Sequence, residues 1–442
     1  MRVEDTDLDR SSEDSLKSQL SSLNWLDLKF DEGVSFPELK DFGDFGPYRQ
    51  SHRLQTYKQK ALELVENGKA FYCFQPADEK TTSSHARFFS DDRELPLETA
   101  KKRIAGGEKP VIRFKASKDT KTYGFDDLIR GPIEFSSDVI GDFVLLRSND
   151  MPVYNFCCVV DDSLMKITHV LRAEEHLSNS LRQLMLYEAF GWKPPEFGHI
   201  SLILGADKQK LSKRHGATSV IDFFERGYLP DAMINYLSLL GWTHPEEKEI
   251  FDLKELVEKF DLKKVHASPA VFDEVKLKWV NAQHVRALPV DQFAKHVSYF
   301  LNKDGYTLNK DLNWWAKTAD LFKPKIETLV EAANVIKLLS PDAYTIGQES
   351  VEALSWDTTR GVLNAWRSIL SGMAHEYMDE QKFLESQEVI KKEANVKGKQ
   401  LFMPLRVAII GVPQGAEING LVQLLDKQEL IRRVDTALKA AK

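Results

Sequence analysis

Lys210-Leu211-Ser212-Lys213-Arg214-His215-Gly216 packs three permanent cations, a hydroxyl and an imidazole into six residues and then ends at a glycine. The apolar run Ile200-Ser201-Leu202-Ile203-Leu204 precedes it, with Gly205-Ala206-Asp207 as the intervening turn. This order predicts a basic loop just past a buried strand over 200–204. Open α/β sheets bind their ligands at that edge. Cations there neutralise phosphate charge as it develops in a transition state. A solvated charged turn is the competing reading. The Gly-rich phosphate-loop pattern is absent. The phosphate reading therefore rests on the succession of strand, turn and Lys-x-Ser-Lys.

The chain has 442 residues, too many for one core. Its 42% hydrophobic content places it among globular proteins. Sixty basic against 67 acidic residues leave a net charge of −7, so any nucleic-acid partner must meet a local basic face. Cys73, Cys157 and Cys158 are the only cysteines. Two are adjacent, so no disulfide framework is implied and a reducing, cytoplasmic compartment is expected. No apolar run reaches the ~18 residues of a membrane span. The acidic opening is unlike a targeting peptide.

Along the chain, Ser11 or Ser12 is expected to cap a helix through about Leu23, and Ser51 a helix from about His52 to Asn67 that stops at Gly68. Residues 69–150 change character. Strands are expected over 70–74 and 111–114 with a helix over 97–104 between them, then a hairpin-like series over 127–133 and 142–147. The run Tyr154-Asn155-Phe156-Cys157-Cys158-Val159-Val160 reads as a strand buried on both faces. A second strand over 167–172 leads into a helix through about Phe190. Beyond 217 the pattern is helical, punctuated by prolines. The residues alone thus describe an α/β nucleotide-site domain, interrupted by an α+β insertion and followed by an all-α C-terminal half. Glu4, Tyr154, Arg172 and the loop Lys210 to Arg214 could share one crevice, a set that suits a zwitterionic substrate plus ATP.

Several motifs occur in an ordered series: Arg2-Val3-Glu4-Asp5-Thr6-Asp7, Gly46-Pro47-Tyr48-Arg49-Gln50-Ser51, Val159-Val160-Asp161-Asp162, His169-Val170-Leu171-Arg172-Ala173-Glu174-Glu175-His176 and Lys210-Leu211-Ser212-Lys213-Arg214-His215-Gly216-Ala217. Val396-Lys397-Gly398-Lys399 and Pro404-Leu405-Arg406 follow near the end. Together they resemble glutamyl-tRNA synthetase, a class I aminoacyl-tRNA synthetase of bacterial type, over essentially the whole chain. The resemblance implies a Rossmann-type catalytic domain over 1–69 and 151–217, with the α+β insertion 70–150 for the tRNA acceptor end. It further implies a helical stem-contact region over 218–289 and helical anticodon-binding domains over 290–442. The family opens with a strand and a His-Ile-Gly-His signature that this sequence does not contain. The expectation is therefore an incomplete Rossmann-type domain lacking its first βα unit, with activity of the chain alone in doubt.

The implied activity is ATP-dependent attachment of L-glutamate to tRNA(Glu) through a glutamyl-adenylate, by a monomer, with Mg²⁺ accompanying ATP. Glu4 would accept the substrate amino group; its alternative is a solvated acid. Tyr154 would line the pocket, or be a half-buried strand aromatic. Arg172 would pair with the substrate side-chain carboxylate, or be a structural partner of Asp161 or Asp162. Glu175 and the backbone near Ile203 would lie against ATP, with Glu175 alternatively a helix N-terminal acid. Lys210, Ser212, Lys213 and Arg214 would serve the phosphates. Arg49, Trp366 and Arg367 would contact tRNA, as would Trp314 and Trp315, although such tryptophans are more often helical core. Cys158 stands where some relatives keep an amide that touches the substrate. No structural zinc is expected, because Cys73 is the one cysteine in the insertion. Two other readings stay open: a non-catalytic tRNA-binding fragment, and an enzyme that also charges tRNA(Gln). A tRNA-base-modifying paralogue is disfavoured by residues 290–442, which that paralogue lacks.

Overall fold

The structure, a computed structural model, describes residues 1–7, 11–75, 88–212, 219–415 and 417–442. The chain forms two compact units, residues 1–222 with 233–273 and residues 223–232 with 274–442. The boundary between them divides the expected 218–289 segment.

In the first unit, helix α1 (Glu13–Trp25) starts as the sequence predicts. Ser12 is extended, its hydroxyl accepts from the Ser15 amide, and Glu13 and Asp14 occupy the first turn. Leu16 and Leu20, one turn apart, bury against Val34, Tyr48 and Met165. The next helix begins differently. Gln50–Arg53 is a 3₁₀ turn and α2 spans Leu54–Glu66. Ser51 caps nothing here. Its amide and hydroxyl donate to the two Asp5 carboxylate oxygens at 2.8 and 2.7 Å, which fastens the first residues to this turn. Gly68 follows with φ +68°, as a helix-ending glycine should.

Strand β1 (Ala70–Cys73), helix α3 (Leu97–Ala105) and strand β2 (Val111–Phe114) fall where expected. The hairpin is displaced from its predicted place. It joins β3 (Thr122–Asp127) to β4 (Gly131–Ser136), turning at Asp127 and at Gly131 with φ +75°. Strand β5 (Phe143–Leu146) instead pairs with β2, completing an antiparallel sheet in the order β1-β2-β5.

The largest departure is Tyr154–Leu164, which is helix α4 and not a strand. Every residue from Phe156 to Asp162 is buried. An apolar run that is enclosed on all sides carries neither the period of a strand nor that of a helix, so its periodicity could not distinguish them. Strand β6 (His169–Ala173), helix α5 (Leu177–Phe190) and strand β7 (Glu196–Ile200) then form a βαβ unit with β6 and β7 parallel. The predicted strand over 200–204 splits in two. The Ser201 hydroxyl donates to the Ala267 carbonyl and the Leu202 amide to Glu174 Oε1, drawing the chain away from β6. The short strand β8 (Ile203–Leu204) pairs in parallel with β9 (Ala270–Val271).

Asp161 on α4 is fully buried. It accepts from Gln50 Nε2 at 2.9 Å, Arg53 Nε at 2.7 Å and Tyr57 Oη at 2.7 Å, with Arg2 Nε 3.8 Å away. Burial, and then the Asp161 charge, push the Tyr57 hydroxyl far above its ordinary value, so it remains a donor. One carboxylate therefore binds the first residues, the 3₁₀ turn and α2 to α4.

The described part of the second unit is almost entirely helical: α6 (Glu274–Ala287), α7 (Val290–Lys303), α8 (Leu312–Phe322), α9 (Leu329–Ile336), α10 (Thr359–Gly372), α11 (Glu380–Glu393), α12 (Lys399–Ile410) and α13 (Lys427–Ala440). Asp311 caps α8, and Thr328 with Glu331 forms a reciprocal capping box on α9. Trp366 is wholly enclosed beneath α10, edge-on to Phe383 at 5.1 Å.

Replacing Asp161 by alanine leaves Arg53 buried without its counter-charge. The expected loss is about 3–5 kcal/mol in the first unit. Hydrogen exchange followed by mass spectrometry should lose protection in α2 and α4 and keep it in α10.

Candidate active site

The helical state of residues 154–164 arranges the candidate site groups. Tyr154, Cys158, Asp161 and Asp162 are spaced to lie along one side of α4, and the first residues of the chain run beside it. Arg2 reaches from there to Asp162 Oδ1 at 2.6 Å and to Glu4 Oε1 at 3.0 Å. The Cys158 thiol donates to the same Glu4 oxygen at 3.4 Å. Burial, and then the Glu4 carboxylate, push the Cys158 thiol well above its ordinary value and keep it protonated. Burial, and then Cys158 and Glu4, likewise raise the Tyr154 hydroxyl, while Arg172 opposes them. Glu4 and Arg172 thus both act on the Tyr154 hydroxyl, with opposite sign. Tyr154 also lies against the His176 ring, with centroids 5.8 Å apart.

Arg172 sits on β6 and is not a structural partner of Asp161 or Asp162. Its Nε donates to His199 Nε2 at 3.1 Å and its Nη2 to Ser180 Oγ at 2.9 Å. Its guanidinium carbon lies 5.3 Å from the centre of the Phe197 ring. No carboxylate among the described residues forms an ion pair with it.

The basic loop begins at a tight turn. Gly205 and Gln209 are bonded backbone to backbone at 2.8 Å, the Leu211 amide donates to the Ile203 carbonyl at 3.0 Å, and Lys208 takes φ +59°. This fixes Lys210 opposite the start of the helical segment after β6. There its ammonium meets Glu175 Oε2 at 2.5 Å, both groups being exposed. The Lys210 hydrogen bond holds the Glu175 carboxyl below its ordinary value. Two groups assigned to ATP are therefore paired with each other. Ser212 is exposed at the edge of the described chain, and Lys213 and Arg214 lie outside the described residues.

Three of the tRNA-facing expectations change in light of the structure. Trp314, Trp315 and Trp366 are buried, and Trp314 Nε1 donates to the Leu424 carbonyl at 2.8 Å. Their apolar area fills the helical core, which leaves no open face for a base. Arg367 is exposed, with Nε and Nη2 on the Asp435 carboxylate. Arg49 is half-buried and paired with Glu13. A groove of 680 Å³ beside Glu4 is lined by Arg2, Asp5, Glu13, Arg49 and Ser51.

Sequence reasoning missed Asp127, His199 and Ser180, all fully buried or nearly so. His199 Nδ1 lies 2.6 Å from Asp127 Oδ2. The available signal was a histidine within the short strand run Phe197-Gly198-His199-Ile200, where a buried polar group demands a partner.

Residues 1–279 match the family model described as the catalytic domain of class I tRNA synthetases (E and Q), and residues 292–438 match an anticodon binding domain. The chain is 48% identical to a glutamate–tRNA ligase of Bdellovibrio bacteriovorus, over 99% of this chain and 90% of that protein. It is 42% identical to that of Natranaerobius thermophilus, over 99% and 91%. A solved glutamate tRNA ligase from Elizabethkingia meningosepticum, in complex with its amino acid, superposes with a TM-score of 0.82 at 27% identity, covering all of this chain and 92% of its own.

Two consequences can be checked in solution. Cys157 and Cys158 should react with iodoacetamide at pH 8 about a hundredfold more slowly than free cysteine until the chain is unfolded, because burial holds both thiols protonated. Truncating Trp366 to alanine should cost the second unit about 3–5 kcal/mol, against less than about 1 kcal/mol for Arg367→Ala, by denaturant unfolding.

Proposed function

Since this chain belongs to the class I (E and Q) tRNA synthetase family, in its glutamate–tRNA ligase branch, we propose that it activates L-glutamate with ATP and transfers it to the 3′ end of tRNA(Glu). The observation that supports this most directly is the grouping of Glu4, Tyr154 and Arg172. An acid and a guanidinium both act on the tyrosine hydroxyl, which burial keeps protonated, and such a set suits an amino acid carrying a second carboxylate.

Glu4 receives the substrate ammonium group. It releases part of its contact with Arg2, which keeps Asp162 as a counter-ion. Arg172 receives the side-chain carboxylate on two N–H groups. Glutamine offers one acceptor and turns an NH₂ against the other donor, so the neutral amide is bound less well. Glu175 and the β8 backbone at Ile203 face the adenosine. Lys210 leaves Glu175 for the phosphates.

The substrate α-carboxylate oxygen then bonds to the α-phosphorus, the bond to the bridging oxygen breaks, and pyrophosphate departs with the electron pair. Lys210, with Lys213 and Arg214, meets charge that is greater in this transition state than in bound ATP, which is the condition for lowering the barrier. A ribose hydroxyl of the tRNA terminus next attacks the glutamyl carbonyl carbon, loses its proton and expels AMP. Among the described residues no trio of carboxylates or imidazoles gathers to hold a metal. Mg²⁺ would therefore enter on the nucleotide's own phosphates, where it supplies charge neutralisation.

The test is glutamate-dependent ATP–pyrophosphate exchange with tRNA present, together with charging of tRNA(Glu). Lys210→Ala should lower kcat by about a hundredfold or more, with tRNA affinity unchanged in a filter-binding assay. Equal loss of tRNA binding would reject the phosphate role. Absence of any glutamate-dependent exchange by the unaltered chain would reject the activity.

A further inference from the structure

We propose that His199 positions the specificity arginine: a neutral imidazole, fixed by Asp127, holds the Nε edge of Arg172 and so directs the opposite end of the guanidinium at the substrate carboxylate. The inference rests on the assignment of Arg172 to that carboxylate.

The hydrogen-bond inventory decides the imidazole's state. Arginine has donors and no acceptor, so Nε2 of His199, 3.1 Å from Arg172 Nε, must carry the lone pair. A charged imidazolium would set N–H against N–H. The proton is therefore on Nδ1, where it donates to Asp127 Oδ2 at 2.6 Å. The other Asp127 oxygen accepts the amides of Ile129, Arg130 and His199 at 3.0, 3.0 and 3.2 Å. The carboxylate is thereby locked in orientation, and it locks the ring. Although burial opposes it, the His199 bond and these amides hold the Asp127 carboxyl below its ordinary value. Burial, aided by the Arg172 charge, lowers His199 in turn and favours the neutral ring.

Arg172 meets this acceptor with one edge. Nε bonds His199, and Nη2 bonds Ser180 Oγ, which itself lies 3.3 Å from His199 Nε2. His199, Asp127 and Ser180 present no side-chain surface to solvent worth the name, at 0%, 4% and 0% exposure. The edge is thus held in a dry setting where such bonds are strong. Nη1 has no partner among the described residues. It and the remaining Nη2 proton form the end-on fork that a carboxylate takes in two parallel bonds. Asp127 belongs to the β3–β4 hairpin and His199 to β7, so a turn of the α+β insertion sets the aim of a residue in the catalytic domain.

Four substitutions and one spectrum test this. Asparagine at 199 keeps an N–H for Asp127 and is too short to reach Arg172. Glutamine places an amide oxygen at the level of Nε2. In Asp127→Asn the amide can face the ring with its NH₂, which favours the Nε2–H tautomer and turns a donor onto Arg172. By calorimetry on the 442-residue chain, His199→Asn and Asp127→Asn should weaken L-glutamate binding about tenfold or more and narrow the preference over glutamine. His199→Gln should recover a substantial part of both. ATP affinity should stay within about twofold, since the nucleotide groups are untouched.

Unchanged glutamate affinity in folded His199→Asn overturns the proposal, as does an equal defect in His199→Gln. Arg172→Leu separates the two levels. If it binds glutamate normally, the assignment of Arg172 itself fails; if it loses binding while His199→Asn does not, only the positioning role fails. Should the variants not fold, ¹⁵N chemical shifts of the His199 ring in the unaltered chain decide. The Nδ1–H tautomer upholds the proposal, and either the Nε2–H tautomer or the imidazolium rejects it.

Discussion

A single buried carboxylate organises the catalytic unit. Asp161 takes hydrogen bonds from Gln50, Arg53 and Tyr57 and lies near Arg2. These groups come from two separate stretches of chain, the first residues and residues 50–57. An isolated carboxylate in that position would be prohibitively costly, and each donor left without it would be costly in turn. The satisfied arrangement therefore exists only when the first residues, the 3₁₀ turn and α4 are all in place. Because α4 also carries Tyr154 and Cys158, the same constraint brings Glu4 up to the Cys158 side of that helix.

The site is built from polar contacts of two kinds. Those at the base are buried and multiply bonded: Asp161 with its donors, and Asp127 with His199 and three amides. They cannot be exchanged without leaving a buried group unpaired. The pair at the mouth, Lys210 with Glu175, is exposed and singly bonded. Exposed pairs are worth little, so a substrate carboxylate, ammonium or phosphate can replace one partner at small cost. Rigid pairs set direction, and weak pairs yield to ligands.

Connectivity adds a second level of control. The β3–β4 hairpin belongs to the inserted segment, yet its Asp127 turn bonds β7, and the neighbouring Arg130 reaches Glu174 and Ser201. Glu174 in turn accepts the Leu202 amide where the chain departs toward the basic loop. The insertion thus braces both β7 and the chain that leads toward the basic loop.

Much of this could be read without coordinates. The Ser12 cap, the stop at Gly68, strands over about 70–74, 111–114 and 167–172 and the helical second half all follow from local rules of capping, turn chemistry and period. The ordered motifs supplied the family. Tertiary structure alone decided the rest, because it depended on partners distant in sequence. Within the helix 154–164, residues 156–162 are buried without a break, which erases any period that could have marked it as helical. Ser51 faces Asp5 and not a helix end, since the first residues need an anchor. Trp366 is core because Phe383 packs against it. His199, an unremarked residue of a short strand, gained its tautomer and its meaning from Asp127 and Arg172, 72 and 27 positions away. Sequence shows which groups a chain possesses; hydrogen-bond satisfaction in a dry interior determines which of them must face one another.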